Sequence, residues 1–131
     1  MITRIFLTLI AVMICGITQA DDKKIEGVTH VDANAAEKLI QDGKVTVIDV
    51  RTPDEYKLAH ISGSKNVDFI ENDFEKNIGQ LDKSKSYLVH CASGHRSGKA
   101  LEIFQKLGFV SVYHLDNGLK GWEAAGKPVT K

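Results

Sequence analysis

The six residues Cys91-Ala92-Ser93-Gly94-His95-Arg96 are where the sequence concentrates its chemistry. The thiol directly follows Ser86-Tyr87-Leu88-Val89-His90, which reads as a buried strand, and a helix is expected to begin near Ser97. Such a turn puts Cys91 at the carboxyl end of a strand, where ligands of open α/β sheets bind. Consecutive backbone N–H groups there point inward as an anion-binding nest, and the helix amino terminus adds partial positive charge. Arg96 adds a permanent cation. A free cysteine titrates near about 8.5, and helix amino termini and arginines lower that value, so the expected state is a nucleophilic thiolate at neutral pH. The competing reading is a buried, unreactive cysteine at a strand end. Gly94, Arg96 and the helix start favour reactivity.

Neighbouring side chains add to this site. Ser93 and Ser97 could each donate a hydroxyl hydrogen bond to the sulfur, or cap the following helix. His95 could orient a donor or titrate near neutral pH, or simply be exposed. Asp49 and Arg51 leave another strand end close by. They read as scaffold, with Asp49 expected to accept hydrogen bonds from loop amides and Arg51 to pair with Glu55. His30, His60 and His114 read as structural. No pair among the five histidines has zinc-ligand spacing with a second thiolate available, so no metal is expected, and no nucleotide or flavin fingerprint points to an organic cofactor.

The elements that must position these residues alternate between strand and helix, the pattern of an α/β domain with a largely parallel sheet. Five strand candidates occur at Val28–Val31, Val45–Asp49, Lys65–Asp68, Ser86–His90 and Val110–Leu115. The expectation is one five-stranded, mostly parallel sheet with helices on both faces. Asp32 can cap a helix with apolar Ala35, Ala36, Leu39 and Ile40 that ends near Gly43. Thr52-Pro53-Asp54-Glu55 combines a capping residue, a proline at the first helical position and a glutamate three residues after the cap, so it opens a helix that stops before Gly63. The segment from Glu71 to Gln80 reads as an acidic surface helix. Ala100, Ile103, Phe104 and Leu107 form one helical stripe that stops at Gly108. Leu119 and Trp122 mark a terminal helix reaching about Ala125, with Trp122 as its core anchor.

At 131 residues, 43% hydrophobic and 26% charged, the chain suits one domain. The formal net charge is zero and no Lys/Arg cluster stands out, so the electrostatic case for nucleic acid or an anionic membrane surface is missing. The start of the chain differs: Arg4 precedes an apolar run from Ile5 to Ile17, then Thr18-Gln19-Ala20 and the charged Asp21-Asp22-Lys23-Lys24. This is the layout of a secretory signal peptide over residues 1–20, cleaved after Ala20, with the domain at 21–131 and an exported, periplasmic location. The run is shorter than the roughly 20 residues of a spanning helix, which disfavours a retained anchor. A lipid on Cys15 is disfavoured by bulky Ile14. Cleavage removes Cys15 and leaves Cys91 as the sole thiol, so no internal disulfide is possible.

His90-Cys91-Ala92-Ser93-Gly94-His95-Arg96-Ser97 resembles the active-site loop of the rhodanese family. Asp49-Val50-Arg51, Glu55-Tyr56, His60-Ile61-Ser62-Gly63-Ser64 and Asn66 resemble that family's first signature, and Leu115-Asp116-Asn117-Gly118-Leu119-Lys120-Gly121-Trp122 its closing one. The likeness spans about Val28 to Val129. Ser62 stands where the family often has proline, Ser64 where it often has alanine, and Asn117 where it often has the first of two glycines. A left-handed turn at Asn117 is one Asn would tolerate.

The resemblance implies a sulfurtransferase of the thiosulfate:cyanide type. Cys91 takes the outer sulfur of thiosulfate or a similar donor as a persulfide held by the amides of Ala92 to Arg96, then passes it to cyanide or a thiol. Arg96 either fixes loop shape or holds the donor's anionic end. Two other functions remain. A non-catalytic sulfur carrier or sensor would hand the sulfur to a protein partner. A phosphatase or arsenate reductase of the same superfamily is disfavoured because only four residues separate Cys91 from Arg96. Cys91→Ala is expected to abolish transfer and spare the fold, as a change at the mouth of a loop.

Overall fold

A computed structural model describes residues 25–131. The expected signal peptide, its cleavage site and Cys15 lie outside them.

Ten elements alternate along the chain: β1 (Val28–Val31), α1 (Ala33–Gln41), β2 (Thr46–Asp49), α2 (Pro53–Leu58), β3 (Lys65–Asn66), α3 (Phe74–Gly79), β4 (Ser86–His90), α4 (His95–Lys106), β5 (Ser111–Leu115) and α5 (Gly118–Ala124). The sheet runs β1-β5-β4-β2-β3, and all of its pairings are parallel. Parallel sheets are covered on both faces, and alternation within the strands divides the core accordingly. Ile48, Tyr87 and Val89 join Phe74 and Ile78 of α3 and Ala100, Leu101 and Phe104 of α4. Val47 and Leu88 face the other way, toward Ala36 of α1 and Leu119 and Trp122 of α5. Trp122 is a core anchor as expected, and its Nε1 donates to Pro128 O at 2.8 Å.

The helix starts follow local chemistry. Asp32 accepts from the Ala35 amide at 2.9 Å. Thr52 and Glu55 form a reciprocal capping box, with Pro53 in the first turn. Four expectations change. The third strand stops at Asn66: the Val67 amide still bonds the Asp49 carbonyl, but the Phe69 amide bonds Val50 O, one residue out of the ladder's register. The helix placed at Glu71–Gln80 spans only Phe74–Gly79, and it is not a bare surface helix, since Phe74 and Ile78 are buried. The helix after the cysteine loop begins at His95 rather than near Ser97, because Gly94, at φ +100°, serves as its cap. Asn117 lies at φ −94°, so the left-handed turn allowed for it is not used; the positive φ falls on Gly118.

Candidate active site

The cysteine loop is a short arch between the central strand β4 and α4. Starting α4 two residues early places Ser97 in its first turn, on its buried side. The Gly94 amide donates to Cys91 Sγ at 3.1 Å, and the Ser97 hydroxyl lies 3.2 Å from the same sulfur. Burial pushes the thiol up, but the Ser97 hydroxyl and the amides of Ser97, Ser93 and Gly94 together outweigh it and bring Cys91 below the ordinary thiol range. Hydrogen-bond donors converging on one sulfur suit an anion.

Cys91 does not sit at a mouth, as the sequence reading had it. It is 1% exposed and belongs to the same buried cluster as Val89 and Ala100. The loop side chains sort by position: Ser93 and His95 are exposed, Ala92, Gly94 and Arg96 half-buried, and Ser97 fully buried. Ser93 therefore contributes its amide, while the Ser97 hydroxyl reaches the sulfur instead of capping the helix.

A second turn clamps the arch from below. The amides of Leu119 and Lys120, at the start of α5, donate to the carbonyls of Cys91 and Ala92, both at 2.9 Å. A Cβ on Gly118 would lie 2.5 Å from Ala92 O and 2.6 Å from Cys91 O, and one on Gly94 would meet Asp116 O. Both glycines are required by close approach as well as by positive φ.

The charged residues pair differently from expectation. Arg51 does not pair with the Glu55 carboxylate and meets only that residue's backbone carbonyl, through Nη1 at 3.4 Å; its guanidinium and its amide engage the carboxylate of Asp49, with Nη2 to Oδ2 at 2.7 Å, and Nη2 also reaches Ala59 O. Asp49 is thereby occupied by Arg51 rather than by loop amides, since the two sit two residues apart where β2 ends. Arg96 binds Glu55 instead, through two hydrogen bonds at 2.7 and 3.0 Å. This lowers Glu55 to about 2, chiefly through the Arg96 hydrogen bonds. Arg96 thus ties the loop to α2. His90 is fully buried, with Nδ1 on Cys91 O at 3.0 Å, and desolvation keeps it below the usual imidazole range.

Three residues that the sequence did not bring to the site are joined to the sulfur. Ser97 Oγ lies 2.7 Å from His114 Nε2, His114 Nδ1 lies 2.8 Å from Asp116 Oδ1, and His30 Nδ1 lies 2.6 Å from that same oxygen. The signal was present in the register: His114 and Asp116 are two apart at the end of β5, and His30 of β1 is the cross-strand partner of His114. His30, His114 and Asp116 are also where side chains of metal-ligating type converge among the described residues. Their nitrogens already share one carboxylate oxygen through hydrogen bonds.

Fold and loop agree with what the chain resembles among known proteins. Residues 32–125 match the rhodanese-like domain family, and the chain belongs to it. It is 30% identical over 101 residues to thiosulfate sulfurtransferase GlpE of Vibrio cholerae, covering 76% of this chain and 92% of that one. It is 26% identical over 122 residues to thiosulfate:glutathione sulfurtransferase of Saccharomyces cerevisiae, covering 83% and 88%. The crystal structure of a rhodanese-related protein from Thermoplasma volcanium superposes with a TM-score of 0.70 at 30% identity, covering 77% of this chain and 96% of that one.

Proposed function

We propose that this protein is a sulfurtransferase that moves a sulfane sulfur from thiosulfate or a similar donor to cyanide or a thiol through a persulfide on Cys91. The observation that carries the reading is the sulfur held between the Gly94 amide and the Ser97 hydroxyl under an arch whose donors favour its anionic form. The relatives that act on thiosulfate supply the donor class, and the yeast relative's name supplies a thiol acceptor.

In the first half-reaction the Cys91 thiolate attacks the outer sulfur of thiosulfate. A new S–S bond forms to Cys91, the bond to the inner sulfur breaks, and sulfite leaves with the electron pair. Cys91 then carries S–S⁻, an anion that the amides of the arch can hold as they hold the thiolate. In the second, a thiolate or cyanide attacks the terminal sulfur and Cys91 departs as thiolate. The scheme is ping-pong. Cyanide is a convenient acceptor, and the reading is tested by thiocyanate formation from thiosulfate and cyanide. Turnover by the wild type and its loss in Cys91→Ser is the expected result; equal turnover by both overturns it.

We further propose that the protein works outside the cytoplasm. The support is Arg4 with the apolar run from Ile5 to Ile17 ahead of Thr18-Gln19-Ala20. Expression of the full chain in a bacterial host should give a periplasmic product beginning at Asp21; an uncleaved cytoplasmic product contradicts this.

A further inference from the structure

We propose that His114 acts through Ser97 as the acid–base partner of Cys91, holding the thiol proton as half of a thiolate–imidazolium pair whose cation is oriented by Asp116 and His30. The inference rests on the reading of Cys91 as the nucleophile and extends it to residues outside the loop.

The argument is one of proton parity along an unbroken chain of hydrogen bonds. Both imidazole Nδ1 atoms contact Asp116 Oδ1. An ionised carboxylate only accepts, so each Nδ1 carries a proton. The His114 tautomer is thereby fixed, and its Nε2 is a bare acceptor when the ring is neutral. In that state the Ser97 hydroxyl donates to Nε2 at 2.7 Å and its oxygen accepts from the Cys91 S–H at 3.2 Å. Every partner is satisfied with the thiol protonated.

Moving two protons one step each, from Sγ to Oγ and from Oγ to Nε2, gives the other satisfied state. There the Ser97 hydroxyl donates to a thiolate and accepts from an imidazolium. The intermediate alternative, a thiolate beside neutral His114, asks the one Ser97 proton to serve both the sulfur and Nε2. If that proton serves Nε2, the sulfur keeps its amide donors but loses the Ser97 hydroxyl, the strongest of the groups that favour its anionic form. The geometry therefore couples ionisation of Cys91 to protonation of His114.

The groups facing His114 are Asp116 beyond β5, His30 on β1, Ser97 on α4, Cys91 at the arch, and His90 on β4 at longer range. Burial pulls His114 below the usual imidazole range, and Asp116 opposes that pull without overcoming it. An anionic sulfur one hydroxyl away would act in the same direction as Asp116. His114 touches neither donor nor reacting sulfur, so it is a positioning residue, and the telling readout is the titration of Cys91.

The experiment is the pH dependence of Cys91 alkylation by iodoacetamide, followed by intact mass, in the wild type, His114→Gln and Asp116→Asn, each checked for native circular dichroism. Glutamine can still offer an N–H to Ser97 but cannot take its proton. The midpoint should rise by about one unit or more in His114→Gln, an approximately tenfold slower reaction at pH 7, with the high-pH plateau kept. Asp116→Asn should move the same way. Asp116 is half exposed, so this variant carries the test if the His114 variant does not fold. Midpoints unchanged in folded variants overturn the proposal. Alkylation needs no sulfur donor, so failure to form a persulfide would remove the sulfurtransferase reading without altering this outcome.

Discussion

Arg96 and Glu55 are joined by two hydrogen bonds across 41 positions of sequence, and the same Glu55 carboxylate closes the capping box of α2. One carboxylate therefore ties the start of α2 to the arch over Cys91. Glu55→Gln weakens both ends and should cost about 1–2 kcal/mol of stability, the usual range for a cap and a charge-assisted pair. Its pH dependence has a definite sign. Glu55 is lowered from 4.5 to about 2 in the fold, so its contribution is full above about pH 4.5 and is lost as pH falls through about 2. Urea melts of the wild type and Glu55→Gln should differ most near neutral pH and converge toward pH 2. A constant gap contradicts the pairing.

Gly118→Ala should damage the arch from outside it. The added methyl would press on the Cys91 and Ala92 carbonyls, and the left-handed backbone at φ +60° costs an L-residue about 1 kcal/mol by itself. The combined loss should be at least about 2 kcal/mol in chemical denaturation, with slower alkylation of Cys91 in the molecules that remain folded. Wild-type values for both contradict the clamp.

Arg51 and Asp49 form a pair that is 6% and 0% exposed at the side chain. Arg51→Met leaves Asp49 buried without its cation and should cost about 3 kcal/mol or more, whereas the double variant with Asp49→Leu should recover part of the loss. A double variant no better than the single one shows that the pair is not the source of the cost.

Cys91→Ala should remove the thiol reactivity of the described residues 25–131, and it should also cost about 1 kcal/mol, since the sulfur is buried in a core cluster instead of lying at a mouth. Thermal melting of the variant against the wild type measures this; an unchanged midpoint contradicts the burial.

The strand and helix pattern was legible because caps and apolar periods are local. Thr52-Pro53-Asp54-Glu55 announces α2, and Asp32 announces α1, from a few adjacent residues. The loop with Cys91 and Arg96 was legible for the same reason. Side-chain partners were not. Glu55 stands three residues from its cap and far from Arg96, and nothing in the local sequence chooses Arg96 over Arg51. Gly94 moves the start of α4 by adopting a left-handed cap, which turns the Ser97 hydroxyl from a capping group into a sulfur ligand. The part played by His114 is not local either, because it depends on the packing of α4 that brings Ser97 to its Nε2 and on the sheet order that lays His30 of β1 beside β5.

The measurement that tests the central claim most directly is intact mass spectrometry of the purified protein before thiosulfate, after it, and after subsequent cyanide. A persulfide adds one sulfur atom, about 32 Da, which should appear with thiosulfate, vanish with cyanide and be absent from Cys91→Ala, as a covalent ping-pong intermediate requires. No added sulfur on a protein whose Cys91 thiol is free and reactive, or the same added mass on Cys91→Ala, contradicts the account.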